Sequence, residues 1–258
     1  MRILVSNDDG IHAPGLQALY RELCKLGQTR VVAPLQEKST TGHSLTLHKP
    51  LRLLPIRKDF YGVSGSPADC VYLGIRQVMK ELPDLVVSGI NRGANLGQDV
   101  YYSGTVSAAR EAAILGIPAL AVSLAIDFDR PGAEVDSEKR YAAAAKVALK
   151  VAREMKRLQL PRHTLLNLNV PDVAASRLKG IRLGRQGFRI YSGKVLQRRD
   201  HRGKDYYWIG GRYQGFKPEE GTDCDLVARG YSSLTPLRLD STDLQSLAGL
   251  DQSGHFEW

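Results

Sequence analysis

The sequence predicts an α/β protein: a Rossmann-like, doubly wound, mostly parallel sheet with a C-terminal β-hairpin extension. Three observations carry that prediction. The first 35 residues hold an apolar run, a helical pattern and a second apolar run, which is the β-α-β opening of a wound sheet. Further short apolar runs at Leu85–Ser88, Ala119–Leu124 and Leu165–Val170 recur with helical segments between them, as strands buried on both faces require. After residue 180 the chain turns into short, basic, aromatic, glycine-punctuated stretches, the signature of antiparallel strands. Residues 1–180 therefore read as the core that carries the site. Residues 181–258 read as a hairpin arm and C-terminal segment for oligomerisation, completing one domain.

Element by element, Ile3-Leu-Val5 is the first strand, and it breaks off into Asn7-Asp-Asp-Gly10. Leu16, Leu19, Tyr20 and Leu23 keep helical spacing until Gly27, and Val31-Val-Ala33 is the second strand. A hydroxyl-rich loop, Glu37–Ser44, leaves its carboxyl end. Residues 45–64 alternate and read as short extended strands. Gly65-Ser-Pro-Ala-Asp-Cys70 caps a helix expected to run to about Lys80. Leu85-Val-Val-Ser88 leads into Gly89-Ile-Asn-Arg-Gly-Ala-Asn-Leu-Gly97, a long loop of glycines and asparagines of the kind that carries function in α/β proteins. Ser103 or Thr105 caps the next helix, which ends near Gly116. Residues 125–137, with Pro131, are irregular and give no reason to expect a site. A long amphipathic helix spans Tyr141–Leu160, and Leu165–Val170 is a strand closed by Pro171. Gly203 reads as the turn of a hairpin, and Gly221–Asp225 leads through a short helix to a last strand at Gly230–Leu237.

Composition narrows the class. A hydrophobic fraction of 43% and a charged fraction of 24% are ordinary for a globular protein. No apolar stretch approaches the roughly 20 residues of a membrane span, and the chain opens directly in a strand, so a cytoplasmic location is expected. Cys24, Cys70 and Cys224 fit neither a disulfide framework nor a zinc pattern. The net charge is +9, and residues 139–204 hold 18 Lys and Arg against Glu154, Asp172 and Asp200. Such a segment can attract polyanions, yet no aromatic platform or nucleic-acid motif accompanies it, and a solvated basic surface is the commoner case.

The chemistry starts at Asp8 and Asp9. Two adjacent carboxylates at the carboxyl end of the first strand lie where open α/β sheets bind ligands, and like charges so close call for a cation. An acidic turn that caps a helix is the plainer alternative. Ser39 and Asn91 can add neutral oxygens, and such oxygen-only ligation suits one divalent ion, Mg²⁺ or Mn²⁺. Ser103, Gly104 and Thr105 open a helix whose free N–H groups form an anion site. A plain Ser/Thr cap is the competing reading there. Metal and phosphate cradle together suggest phosphate monoester hydrolysis, with the metal polarising the phosphoryl oxygen and activating a water. An Asp nucleophile or general base stays open beside that reading.

These residues give the sequence a resemblance to the SurE (survival protein E) family of 5′/3′-nucleotidases over nearly its whole length. The matching stretches are Ser6–Gly15, Lys38–Ser44, Gly65–Val71, Val87–Gly97, Tyr102–Val106, Asn167–Pro171 and Gly230–Pro236. The resemblance implies a SurE-like fold and a metal-dependent phosphatase of nucleoside 5′- and 3′-monophosphates, with exopolyphosphatase activity in some members. It further implies metal ligation by Asp8, Asp9, Ser39 and Asn91, with Asp8 and Asp9 the catalytic residues, and phosphate binding by Asn95, Ser103, Gly104 and Thr105. It also implies a homodimer or homotetramer built through swapped C-terminal extensions; membrane and nucleic-acid partners are not expected. Leu35 stands where the family usually has Asp, and Arg110 and Ala112 depart from the pattern after the phosphate turn. None of the three removes a predicted ligand. Two other classes are weighed: a receiver-like Mg²⁺-binding signalling module, which would not need the asparagine loop, and a nucleic-acid-binding protein using residues 139–204.

Overall fold

The computed structural model describes residues 1–129 and 132–252; Pro131 and residues 253–258 lie outside the described residues. β1 (Arg2–Ser6) opens the chain. Its side chains alternate across the pleat, so Ile3 and Val5 enter the core on one face of the sheet and Leu4 the core on the other. Both faces are covered, which is why the run is continuously apolar. α1 (Pro14–Leu23) sets Leu16, Leu19 and Leu23 against the first face, and Pro14 sits in the opening turn, where a missing N–H leaves no helical bond unmade. β2 (Gln28–Pro34) returns parallel to β1, with Val31 opposite Val5.

β3 (Leu53–Arg57) and β4 (Phe60–Val63) make an edge hairpin, with β4 parallel to β2. Extended pairing was expected from residue 45 but begins only at Leu53. Up to that point the chain is pinned as a loop, because Asp69 accepts the Thr46 N–H at 2.8 Å and the Thr46 hydroxyl at 2.6 Å. α2 (Pro67–Leu73) starts in a capping box between Ser66 and Asp69. It does not continue to Lys80. At Gly74, where a Cβ would stand 2.9 Å from Leu4 Cδ2, the backbone widens into a π turn over Gly74–Val78 and leaves the helix at Met79.

β5 (Leu85–Arg92), α3 (Gly104–Ile114), β6 (Ala119–Ala125), α4 (Glu138–Met155) and β7 (Thr164–Pro171) complete the wound core, with β1, β5, β6 and β7 parallel. α1 and α4 cover one face, and α2 and α3 the other. From β1 the sheet grows outward through β2, β4 and β3; it then restarts at β5 on the opposite side of β1. That reversal opens a crevice at the carboxyl ends of β1 and β5.

The rest of the chain comprises β8 (Ile181–Leu183), β9 (Arg189–Tyr191), β10 (Val195–Arg199), β11 (Asp205–Ile209), β12 (Tyr213–Phe216), α5 (Asp223–Ala228), β13 (Ser232–Arg238) and α6 (Leu244–Gln252). β13 runs antiparallel beside β7 and β8 parallel to β13, so both belong to the nine-stranded main sheet. β10 and β11 form the expected hairpin, with Gly203 at φ +75° in its turn. β9 and β12 pair as a separate two-stranded ribbon. The arm carries exposed Tyr206, Tyr207 and Trp208 across from Arg198, Gln197 and Leu196; these aromatics follow immediately after the basic segment and were missed by a count that stopped at Lys204. α6 was not anticipated. No helix among the described residues is long and apolar enough to cross a membrane.

Candidate active site

The crevice is built around the end of β1. Asn7 is buried and donates from Nδ2 to the Gly10 carbonyl at 2.9 Å, and Gly10, at φ +103°, turns the chain away. Ile11 N–H then bonds the Pro34 carbonyl at 2.8 Å, so the turn carrying Asp8 and Asp9 is fastened at both ends. Asp8 is 4% exposed. Its carboxylate accepts the Thr105 hydroxyl, and its carbonyl accepts the Lys38 N–H at 2.7 Å, which draws the hydroxyl-rich loop over the crevice. Asp9 accepts the Arg92 N–H at 3.1 Å.

Burial acts on both carboxyls. Desolvation raises Asp8, with the Thr105 hydrogen bond opposing it. Desolvation and the Asp8 charge push Asp9 up to about 7. None of the ion pairs among the described residues engages either group. Nor do three His, Cys, Asp or Glu cluster anywhere among them, so a cation here would be held by two carboxylates and neutral oxygens. That donor set suits a hard divalent ion.

A cavity of about 720 Å³ opens in front of this pair, lined by Asp8, Ser39, Asn91, Asn95 and Ser103 among the predicted residues. Asn91 reaches it through an irregularity in β5: pairing with β6 slips between Ser88 and Asn91, at Gly89 (φ +137°), where a Cβ would lie 2.3 Å from the Val122 carbonyl oxygen. Asn91 Nδ2 donates to the Gly93 carbonyl at 2.9 Å, so its Oδ1 is the atom left for a ligand. Ser39 is exposed and donates to Glu37 at 2.6 Å. Ser103 caps α3, accepting the Val106 N–H at 3.0 Å. Gly104 and Thr105 stand behind Asp8 rather than at the cavity face: Thr105 is fully buried, and a Cβ on Gly104 would fall 2.7 Å from Asp8 Cβ.

Several lining or organising residues gave no signal in the sequence reading. Asn95 is clamped by β7: its N–H donates to Asn169 Oδ1 at 2.8 Å, and its carbonyl accepts from Asn167 and Asn169 at 2.8 and 3.0 Å. Two asparagines at alternate positions of an otherwise apolar buried strand were the available clue. Buried Asp223 accepts the Gly97, Gly187 and Cys224 N–H groups at 3.0, 2.9 and 2.8 Å, tying the asparagine loop to the segment before β9. Phe128, Gln98, Asp99, Arg189, Tyr191 and Tyr213 complete the cavity wall. A second cleft, of about 670 Å³ beside α4, is lined by Lys139, Lys146 and Arg177. Its carboxylate, Asp172, is already paired with Arg140 at 2.6 Å, and it offers no carboxylate pair.

Residues 3–193 match the family model described as Survival protein SurE. Among curated relatives named 5′-nucleotidase SurE, that of Geobacter sulfurreducens is 51% identical over 248 residues, covering 96% of this chain and 92% of its own. That of Geotalea daltonii is 49% identical over 250 residues, covering 97% and 98%. The crystal structure of SurE protein from Aquifex aeolicus superposes with a TM-score of 0.82 at 42% identity, covering 97% of this chain and all of the other.

Proposed function

The chain belongs to the SurE family, and from that membership we propose that it is a 5′-nucleotidase, hydrolysing nucleoside 5′- and 3′-monophosphates to nucleoside and phosphate in the cavity before Asp8 and Asp9. Membership over most of its length sets the receiver-like alternative aside. The observation that carries the proposal is the buried, unneutralised carboxylate pair at the sheet's point of reversal, with carboxyls raised toward neutrality beside an asparagine- and glycine-rich loop.

One divalent ion, Mg²⁺ or Mn²⁺, would be held by Asp8, Asp9, Ser39 and Asn91. When bound, it supplies Lewis-acid polarisation of the phosphoryl group. The chain's own residues do the rest. Asn95 and Ser103 bind the phosphate from the loop and the start of α3, Gly104 lets α3 close on Asp8, and Thr105 orients the Asp8 carboxylate. Arg92, at the cavity, adds positive charge for the phosphate. The same cavity can take the end of a polyphosphate chain, which would give exopolyphosphatase activity. The exposed hairpin arm and apolar Leu244, Leu247 and Leu250 of α6 support assembly into a homodimer or homotetramer, and three free cysteines support a reducing, cytoplasmic setting.

The test is phosphate release from a panel of nucleoside 5′- and 3′-monophosphates with Mg²⁺, Mn²⁺ or EDTA. Release that EDTA abolishes and added metal restores is the expected result. No release with any metal would refute the proposal and shift attention to salt-dependent polyanion binding by residues 139–204.

A further inference from the structure

One stretch of the cavity wall is unused by phosphate chemistry. It lies away from the carboxylates and is built by β9, β12 and the loop after β6. Phe128, Tyr191 and Tyr213 are all substantially exposed, yet they converge on the same cavity as Asp8. Exposed aromatics gathered in one concavity mark a ligand surface rather than ordinary scatter.

Arg189 makes that surface rigid. Its guanidinium lies 4.3 Å from the Tyr213 ring centre and 5.2 Å from that of Tyr191, and it pairs with Asp99 at 2.5 Å. Asp99 also accepts the Tyr191 hydroxyl. Gln98 grips the Arg189 backbone from both sides, donating to its carbonyl at 2.7 Å and accepting its N–H at 2.8 Å. The charge is therefore already neutralised and the planar groups are fixed before any ligand arrives. A flat, π-faced, weakly polar group fits such a wall, and a second phosphate does not.

Building on the nucleotidase reading, we infer that Phe128, Arg189, Tyr191 and Tyr213 form the nucleobase subsite, holding the base by stacking and favouring purines, whose larger rings cover more of the wall, over pyrimidines. Tyr213 is the position to probe, since it borders the cavity and stacks on Arg189.

The experiment compares wild type, Tyr213→Ala and Tyr213→Phe on a purine nucleoside 5′-monophosphate and on ribose 5-phosphate, which keeps sugar and phosphate but lacks the base. Tyr213→Ala should raise KM for the nucleotide about tenfold relative to ribose 5-phosphate, the scale of one lost base–aromatic stack, and Tyr213→Phe should restore it. Parallel changes for both substrates, or none, would overturn the subsite. If neither substrate is hydrolysed, the nucleotidase reading fails instead. Calorimetric titration of the same proteins with the purine nucleotide then still decides the wall: about tenfold weaker binding to Tyr213→Ala supports it, and equal binding overturns it.

Discussion

Asp9→Asn is expected to abolish turnover and, in the same protein, to stabilise the metal-free chain at pH 8. The activity loss follows from removing one of two charges that hold the cation, and should be on the order of a thousandfold or more. The stability gain follows from burial. In the folded chain desolvation and the neighbouring Asp8 hold the Asp9 carboxyl up at about 7, against 3.8 for an unperturbed Asp. A carboxyl raised in this way contributes stability that is fully present below the unfolded value and is lost as pH rises through the folded one. The metal-free wild type should therefore lose stability between about pH 4 and 7 relative to Asp9→Asn. The full shift discounted for partial exposure is worth about 2 kcal/mol, or about 5 °C in melting temperature for a domain of this size. Thermal unfolding of chelator-treated proteins from pH 4.5 to 8 checks the sign. Equal melting at pH 8, or an active Asp9→Asn enzyme at limiting metal, would contradict the assignment.

Gly104→Ala should cost about a hundredfold in activity while leaving the chain folded. The new methyl carbon would stand 2.7 Å from Asp8 Cβ, 2.9 Å from Asp8 Oδ2 and 3.1 Å from Pro67 Cγ. The obstacle is the root of the Asp8 side chain, not a flexible tip, so either Asp8 or the start of α3 has to move. Crowding of this kind costs about 1–3 kcal/mol of stability, far less than a domain's worth. Circular dichroism and phosphate release measured together should show a cooperative melt with little turnover, and a fully active Gly104→Ala would mean that Asp8 is not held tightly against α3.

Much of this arrangement was legible in the sequence because its causes are local. The apolar run Ile3–Val5 followed by Asn7-Asp-Asp-Gly10 specifies a doubly buried strand and an abrupt turn, and the glycines and asparagines of residues 89–97 specify a backbone that approaches a ligand. Asp8, Ser39, Asn91, Asn95 and Ser103 accordingly meet at one cavity. Other features depend on contacts far apart in the chain. Thr105 has the look of a helix-cap or phosphate residue, but only the packing of α3 on β1 shows its hydroxyl spent on Asp8. α2 stops at Leu73 because Gly74 closes on Leu4, a constraint invisible to helical periodicity. The aromatic wall was hidden for the same reason: Phe128 lies in a stretch with no pattern, and Tyr191 and Tyr213 are joined to it only by the pairing of β9 with β12.

The most direct test of the account is Mn²⁺ binding to the full chain, followed by electron paramagnetic resonance, for wild type, Asp8→Asn and Asp9→Asn. The account predicts one bound ion per wild-type chain and loss of that ion in both variants, each still folded. Undiminished Mn²⁺ binding by both variants would place the cation elsewhere and contradict it.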